Sequence, residues 1–266
     1  MTVAEPGPAA RSWSRLPSRL PLPAGVREHF EVRSLLRRMP ENHGIPRRRA
    51  LALTLHGLPA RVPLLARADK RVRARVFERD LRRLHDILED SGLAGRYWLW
   101  SGLLLGWARE GRILPHDVRD ADIAYSAADD ERFAAAVPAL VACGFRPWFS
   151  FRGNDGEIPV RMFVRHGAFF EFYRMTDQES GRGPVRRYHL FGHGEDGPVE
   201  VAAELPRQEL VPFEFLGRTW RKPADHEAEL EAQYGDWRTP DTSWSYLDEH
   251  TIVSRARWSP PLGPAT

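Results

Sequence analysis

The order of helical and strand patterns in the middle of the chain is the feature that most restricts its fold. Apolar residues recur at helical spacing over 70–91, and an aromatic strand pattern at 97–100 leads into a short helical pattern at 103–110. A compact apolar strand pattern at 122–124 precedes an amphipathic helix at 129–142. Strand-like segments follow at 145–151, 160–164, 169–175, 185–190 and 199–203. This order predicts an α+β (α/β) domain with a mixed sheet.

Turn residues and prolines refine this prediction. Asn154-Asp155-Gly156 is typical of a hairpin turn, and a second hairpin is predicted over 210–220. Pro223 is expected to open a helix over 224–233, because proline is tolerated in a first helical turn. The helix over 70–91 is expected to cover the sheet with one apolar stripe. The residues of this stripe are Val72, Val76, Leu81, Leu84, Ile87 and Leu88.

The chain divides into four predicted parts. Residues 1–25 are rich in proline, alanine and arginine, and are expected to form a flexible leader. Residues 26–69, where prolines interrupt short apolar groups, are expected to form a helical extension. The catalytic domain is predicted at 70–245, and 246–266 is expected to be a tail on the surface.

Composition excludes several classes of protein. The 266 residues contain one cysteine, Cys143, which excludes an intrachain disulfide and a zinc site built from several cysteines. No apolar run reaches the length of a membrane-spanning helix, and the first residues lack the pattern of a secretory signal. A cytoplasmic location is therefore expected.

The net charge of +3 conceals an uneven distribution. Residues 1–83 carry 19 Lys and Arg against 7 Asp and Glu, whereas 84–266 carry 20 against 29. A basic segment of this kind attracts phosphates, anionic lipid headgroups or nucleic acid, although a solvated arginine surface has the same composition. It would allow peripheral contact with a membrane. We expect no nucleic-acid partner, because basic and aromatic residues are not interleaved as in nucleic-acid-binding modules.

The residues that could perform chemistry lie at two strand ends. Ser101 and Gly102 stand where a strand turns into a helix, and glycine lets backbone N–H groups approach an anion closely at such a helix start. Asp120 and Asp122 alternate along a strand, so both side chains leave on one face. Two adjacent carboxylates repel each other unless a cation lies between them, and magnesium or manganese suits such oxygen ligands. The pattern predicts a site for a metal-bound phosphate.

A third carboxylate occurs in an otherwise apolar strand. Glu171 lies between Phe170 and Phe172, where an unpaired charge would cost several kcal/mol. Two alternatives remain open: an arginine pairs with Glu171, or Glu171 faces the metal.

These motifs resemble the LicD/fukutin family of nucleotidyltransferase-fold phosphotransferases. Residues 101–106 are similar to the helix start of that family, and 111–115 to its Gly-x-Ile-Pro turn. The other matching positions are the basic residue Arg109, the metal-binding pair Asp120 and Asp122, and the third acidic residue Glu171. Far downstream, Tyr234-Gly-Asp-Trp237 followed by Pro240 is similar to the closing element of the family. The resemblance covers about residues 80–245.

The turn before the acidic strand departs from the family pattern. His116 follows Pro115 and is similar to the fukutin-like branch, and the segment up to Asp120 is one residue longer than usual. The insertion leaves three roles open for Asp117: a partner of a metal ligand, a helix cap or no role. Both His116 and Asp117 are candidates for substrate binding.

The resemblance implies a nucleotidyltransferase fold, with a mixed central sheet flanked by helices and a helical N-terminal extension. It implies Mg²⁺- or Mn²⁺-dependent transfer of a phospho-alcohol or phospho-sugar from a nucleotide-activated, for example CDP-linked, donor to a glycan or another hydroxyl acceptor. Asp120, Asp122 and Glu171 would hold the metal.

The resemblance also implies that Ser101 and Gly102 cradle a phosphate and that Arg109 neutralises developing charge. Glu171 could instead draw the proton from the acceptor. Two alternatives remain. One is transfer of a nucleoside monophosphate to a small molecule, and the other is a non-catalytic binding module with a basic N-terminal segment.

Overall fold

A computed structural model describes residues 63–115, 117–181, 183–194, 196–241 and 244–259. The predictions for the leader at 1–25, for the extension up to residue 62 and for His116 lie outside the described residues. Within the described part, no helix has both the length and the apolar composition needed to cross a membrane. The domain boundaries predicted from the sequence stay predictions.

Four α-helices and ten strands make up the described part. The helices are α1 (Pro63–Glu89), α2 (Ser101–Glu110), α3 (Asp130–Ala142) and α4 (His226–Tyr234). The strands are β1 (Tyr97–Leu99), β2 (Asp120–Ser126), β3 (Arg146–Phe151), β4 (Val160–Arg165), β5 (Ala168–Ser180), β6 (Gly183–Gly194), β7 (Gly197–Pro206), β8 (Leu210–Phe215), β9 (Arg218–Pro223) and β10 (Ile252–Arg257). The mixed α/β fold class predicted from the sequence is confirmed.

Eight strands form one mixed sheet. The order is β1-β2-β5-β6-β7-β10, with β4 also paired to β5 and β3 to β4, while β8 and β9 form a separate hairpin. Strand β2 is parallel to β5, and the other pairs in the sheet are antiparallel. The first half of β5 therefore lies between β2 and β4, and its second half pairs with β6.

The two faces of the sheet bury different side chains. On one face, Ala121 and Ile123 of β2 join apolar residues of α1 and α3 in the larger core cluster. On the opposite face, Ala124 belongs to a second cluster with Trp98 and Trp100, which are both about 1% exposed. Because strand side chains alternate between faces, Asp120 and Asp122 share the face of Ala124.

Helix α1 confirms the predicted helix but shifts its buried face. It begins at Pro63, and among its described side chains the first that is buried in the core is Phe77, which was not predicted and is 1% exposed. Leu81, Leu84 and Leu88 are fully buried as expected. The expected burial of Val72 is wrong. Val72 is 57% exposed, because its turn of the helix precedes the turns that pack on the core, Phe77 to Leu88.

The last predicted helix differs from its prediction. Pro223 ends strand β9 instead of opening a helix, and α4 begins at His226 after an Asp225 side-chain cap. The segment after residue 245, expected to be a tail on the surface, contains β10, which pairs with β7 at the edge of the sheet and exposes most of its residues.

Substitutions on α1 test which of its residues support the sheet. We expect Leu84→Ala to lower the free energy of unfolding by about 2–5 kcal/mol, because it leaves a cavity in the core. Val72→Ala on the same helix is the matched control and should change it by less than about 0.5 kcal/mol. Chemical denaturation of both variants measures the difference. An equal loss in the two variants would contradict the packing of α1 described here.

Candidate metal and phosphate site

The pairing of two parallel strands brings three carboxylates together. In the register of β2 with β5, Asp122 lies directly beside Glu171, and Asp120 is two residues earlier on the same face of β2. One oxygen from each of Asp120, Asp122 and Glu171 lies within 4.8 Å of the others. Asp120 is exposed, whereas Asp122 and Glu171 are half-buried. The structure therefore assembles the acidic set expected from the sequence.

The start of α2 holds Asp122 in place. The backbone N–H of Gly102 donates a hydrogen bond to Asp122 Oδ2 at 3.2 Å. The Ser101 hydroxyl nearby acts to lower the pKa of this carboxylate, against the effect of burial. Ser101 has φ +48°, a left-handed conformation that costs a residue with a side chain about 1–3 kcal/mol. A strained backbone at this junction thus directs the Gly102 N–H at the carboxylate of Asp122.

Asp117 adds a fourth carboxylate. A Cβ atom built on Gly102 would lie 3.0 Å from Asp117 Oδ2 and 3.4 Å from Asp122 Oδ2. The N–H of Asp120 donates to the Asp117 carbonyl at 3.1 Å, so a tight turn places Asp117 beside the strand end. Of the roles left open for Asp117, a position next to a metal ligand is the one that this geometry supports. Glycine at position 102 leaves the space that both carboxylates occupy.

Burial and like charge both oppose ionisation of this cluster. Burial raises the pKa of Asp122 well above its usual range, and the charges of Glu171 and Asp117 raise it further. Burial also raises the pKa of Glu171, against a hydrogen bond of 2.8 Å donated by the Tyr173 hydroxyl. Of the two alternatives for Glu171, its position in the carboxylate cluster favours facing a metal.

The donor set fits a divalent cation. Hard cations such as Mg²⁺ and Mn²⁺ take carboxylate oxygens, and Mg²⁺ usually keeps several waters and binds one or two carboxylates plus phosphate oxygens. Three carboxylates that converge while burial disfavours their charge are stabilised together by one such ion. Asp120, Asp122 and Glu171 could hold it.

Tyrosines around the carboxylates were missed by the sequence analysis. Tyr173 bonds to Glu171, and the Tyr234 hydroxyl lies 2.8 Å from Ser101 Oγ. The Tyr246 hydroxyl donates to the Phe191 carbonyl at 3.3 Å. Burial, and then the charge of Glu171, raises the pKa of Tyr246. Tyr234 and Tyr246 lie more than 60 residues after Glu171 in the sequence, so local spacing carries no signal for their place near it.

Arg109 contacts a later segment of the chain. It is eight residues along α2 from Ser101, about 12 Å at 1.5 Å per residue. Its guanidinium donates two hydrogen bonds to the Trp237 carbonyl, one of them at 2.7 Å from Nε. In this structure Arg109 therefore fastens α2 to the element 234–237.

Two buried glutamates lie on the same side of the sheet as the acidic cluster. Burial raises the pKa of Glu229 to about 8, although the charge of Arg186 lowers it. Burial likewise raises the pKa of Glu249 to about 7, against hydrogen bonds from Tyr188 and Thr251. The Tyr188 hydroxyl donates to Glu249 Oε2 at 2.6 Å. The sequence analysis singled out neither glutamate. In a sequence, a buried glutamate differs from an exposed one only in its position relative to the periodic apolar residues around it.

Comparison with known proteins identifies the domain that carries the carboxylates. The model of the family described as LicD/FKTN/FKRP, nucleotidyltransferase domain, matches residues 95–177, which run from before β1 into the second half of β5. The match is 83 of the 266 residues and includes Asp120, Asp122 and Glu171. Residues 95–177 therefore match the nucleotidyltransferase domain of the LicD/FKTN/FKRP family, which confirms the resemblance noted in the sequence.

The other comparisons add little. A similar solved structure is the crystal structure of the lincosamide antibiotic adenylyltransferase LnuA with lincomycin bound. It is 13% identical, covers 57% of this chain and 83% of that chain, and has a TM-score of 0.33. A TM-score this low carries no argument about fold or activity. The comparison with curated proteins gave no match.

The pKa of Glu229 predicts a pH-dependent stability. Because its pKa is raised from 4.5 to about 8 in the folded state, the folded protein binds more protons, and the free energy of unfolding falls as pH rises from about 4.5 to 8. In metal-free buffer we expect Glu229→Gln to flatten this fall by up to about 1.4 kcal/mol per pH unit. Denaturation at several pH values measures it.

Glu231→Gln is the control for this experiment. Glu231 is exposed on the same helix, so its substitution should leave the pH dependence of wild type unchanged. Identical slopes for wild type and Glu229→Gln would contradict the assignment of a buried, protonated Glu229.

Proposed function

We propose that the chain is a metal-dependent transferase that moves a phospho-alcohol or phospho-sugar from a nucleotide-activated donor to a hydroxyl acceptor. The observation that carries this proposal is the convergence of Asp120, Asp122 and Glu171 inside the LicD/FKTN/FKRP domain. A CDP-linked donor and a glycan acceptor are the specific forms that we propose. A bound Mg²⁺ or Mn²⁺ would neutralise charge on the donor diphosphate.

The residues around the cation have separate tasks in this proposal. Asp120, Asp122 and Glu171 hold the cation, and the N–H of Gly102 keeps Asp122 oriented towards it. The positive end of the α2 dipole at Ser101 and Gly102 favours a phosphate of the donor nearby. Asp117 lies against Gly102, where a carboxylate can accept the proton of an incoming hydroxyl.

In this proposal Arg109 does not contact the donor but supports the structure around the site. Its guanidinium donates to the Trp237 carbonyl, at the opposite end of α2 from Ser101. We assign to Arg109 the task of holding the element 234–237 against α2. His116, which precedes Asp117 in the sequence, remains a candidate for binding substrate.

A second reaction is also supported by an observation. The description of the matched family names a nucleotidyltransferase domain, and transfer of a nucleoside monophosphate to a small molecule would use the same carboxylates. The two reactions differ in the donor: the first needs a nucleotide diphospho-alcohol or nucleotide sugar, and the second needs a nucleoside triphosphate. A panel of both donor classes with Mg²⁺, followed by release of nucleoside monophosphate or pyrophosphate, separates them.

Asp122→Asn tests the proposed metal dependence. We expect this variant to lose transfer activity and the Mg²⁺-dependent rise in Tm, which for wild type corresponds to about 2.7 kcal/mol at a Mg²⁺ concentration 100 times the Kd. Without metal the variant should be at least as stable as wild type, because one buried like charge is gone. Thermal melts with Mg²⁺ and with EDTA measure both effects.

The control is Glu179→Gln, an exposed glutamate further along β5. It should keep the activity and the Mg²⁺ effect of wild type. Full activity in Asp122→Asn would overturn the proposal. Steeply salt-dependent binding of polyanions without any metal-dependent turnover in wild type would favour the non-catalytic alternative.

A further inference from the structure

The element Tyr234-Gly-Asp-Trp237 is attached to both ends of α2. At the start of α2, the Tyr234 hydroxyl lies 2.8 Å from Ser101 Oγ. At its end, Arg109 donates to the Trp237 carbonyl. The chain thus connects two segments about 130 residues apart through the helix that begins at the carboxylate cluster. The hydrogen bond between Arg109 and the Trp237 carbonyl lies far from the carboxylate cluster. The hydrogen bond between Tyr234 and Ser101, in contrast, is next to Gly102, whose N–H contacts the proposed metal ligand Asp122.

Two consecutive hydrogen bonds connect Tyr234 to the carboxylate of Asp122. The Tyr234 hydroxyl and Ser101 Oγ lie 2.8 Å apart, and either hydroxyl can be the donor. The backbone N–H of Gly102, the residue after Ser101, donates to Asp122 Oδ2 at 3.2 Å. Tyr234 therefore holds the residue whose backbone leads directly into the N–H group that contacts Asp122.

The surroundings fix the Tyr234 hydroxyl. The Tyr234 ring packs on Trp244 with centroids 4.4 Å apart, and Trp244 Nε1 donates to the Gln233 carbonyl at 3.2 Å. Ser101, in contrast, has a left-handed backbone conformation that a residue with a side chain rarely adopts. The packed hydroxyl at the end of α4 therefore contacts a serine that needs outside contacts to keep its conformation.

We propose that Tyr234 is a positioning residue of the metal site, which acts through its hydrogen bond to Ser101 so that the backbone of Ser101 keeps the Gly102 N–H directed at Asp122. This inference rests on the proposed function, because it takes Asp122 as a metal ligand. It gives the closing element of the sequence a task at the site. Tyr234 itself touches neither metal nor substrate in this account.

The test is the affinity for Mn²⁺ alone, measured by isothermal titration calorimetry or by the electron paramagnetic resonance signal of free Mn²⁺. We expect Tyr234→Phe to weaken Mn²⁺ binding about 10-fold, in the range seen when partners of metal ligands are removed. Ser101→Gly should weaken it at least as much. Glycine tolerates φ +48°, so this variant keeps the fold and separates loss of the hydroxyl from loss of stability.

A double substitution shows whether Tyr234 acts through Ser101. If it does, Tyr234→Phe in the Ser101→Gly background weakens Mn²⁺ binding no further. Tyr188→Phe is the matched control, because it also removes a buried, hydrogen-bonded phenol hydroxyl, but that hydroxyl bonds to Glu249. Its Mn²⁺ affinity should equal that of wild type.

The outcomes separate this inference from the function on which it rests. If wild type and Asp122→Asn bind Mn²⁺ equally weakly, the metal site itself is refuted. If Asp122→Asn loses Mn²⁺ binding while Tyr234→Phe retains wild-type affinity, the metal site stands and the task assigned to Tyr234 is overturned. Additive losses in the double variant would also overturn it, since Tyr234 would then act independently of Ser101.

Discussion

The parallel pairing of β2 with β5 determines most of what this site can do. Neighbouring strands lie about 4.8 Å apart, so the pairing of Asp122 with Glu171 sets two carboxylates side by side on one face. Asp120 and Asp117 add two more acidic groups at the strand end. Such a cluster must hold protons or bind a cation, because burial and like charge both oppose its ionisation.

The rest of the domain keeps this pairing in place. Helices α1 and α3 cover the opposite face of the sheet, where Ala121 and Ile123 alternate with the two aspartates. Strand β1 leads directly into α2, and the N–H of Trp100 donates to the Asp122 carbonyl at 3.2 Å. The Gly102 N–H holds the carboxylate of the same residue. Backbone and side chain of Asp122 are thus both fixed by one junction, and the element 234–237 contacts that junction from another part of the chain.

The sequence predicts those features that depend on a short repeat of residue types or on a motif of adjacent residues. The period of two in Asp120-Ala-Asp122 predicts a shared face, and the apolar neighbours of Glu171 predict that its carboxylate needs a partner. The hairpin of β8 and β9 follows from its turn residues. These expectations agree with the structure because each depends on residues adjacent in the chain.

The features that the sequence does not predict depend on long-range contacts. The bond between Tyr234 and Ser101, and the burial of Glu229, are set by how α4 packs on the sheet. The helical spacing of apolar residues predicted a buried Val72. Only the tertiary packing determines which turns of α1 contact the core, and Val72 is exposed. Arg109 matched a motif by position, and its contact with the Trp237 carbonyl depends on a segment 128 residues away.

The most direct test of the central claim is a crystal structure grown with Mn²⁺, with diffraction data collected so that the anomalous signal of manganese locates the ion. The account predicts an anomalous peak within about 2.0–2.4 Å of oxygens from Asp120, Asp122 and Glu171, close to the oxygen distances of Mg²⁺ and Ca²⁺. A well-ordered structure that shows these carboxylates paired with arginine side chains, and no manganese between them, would contradict it.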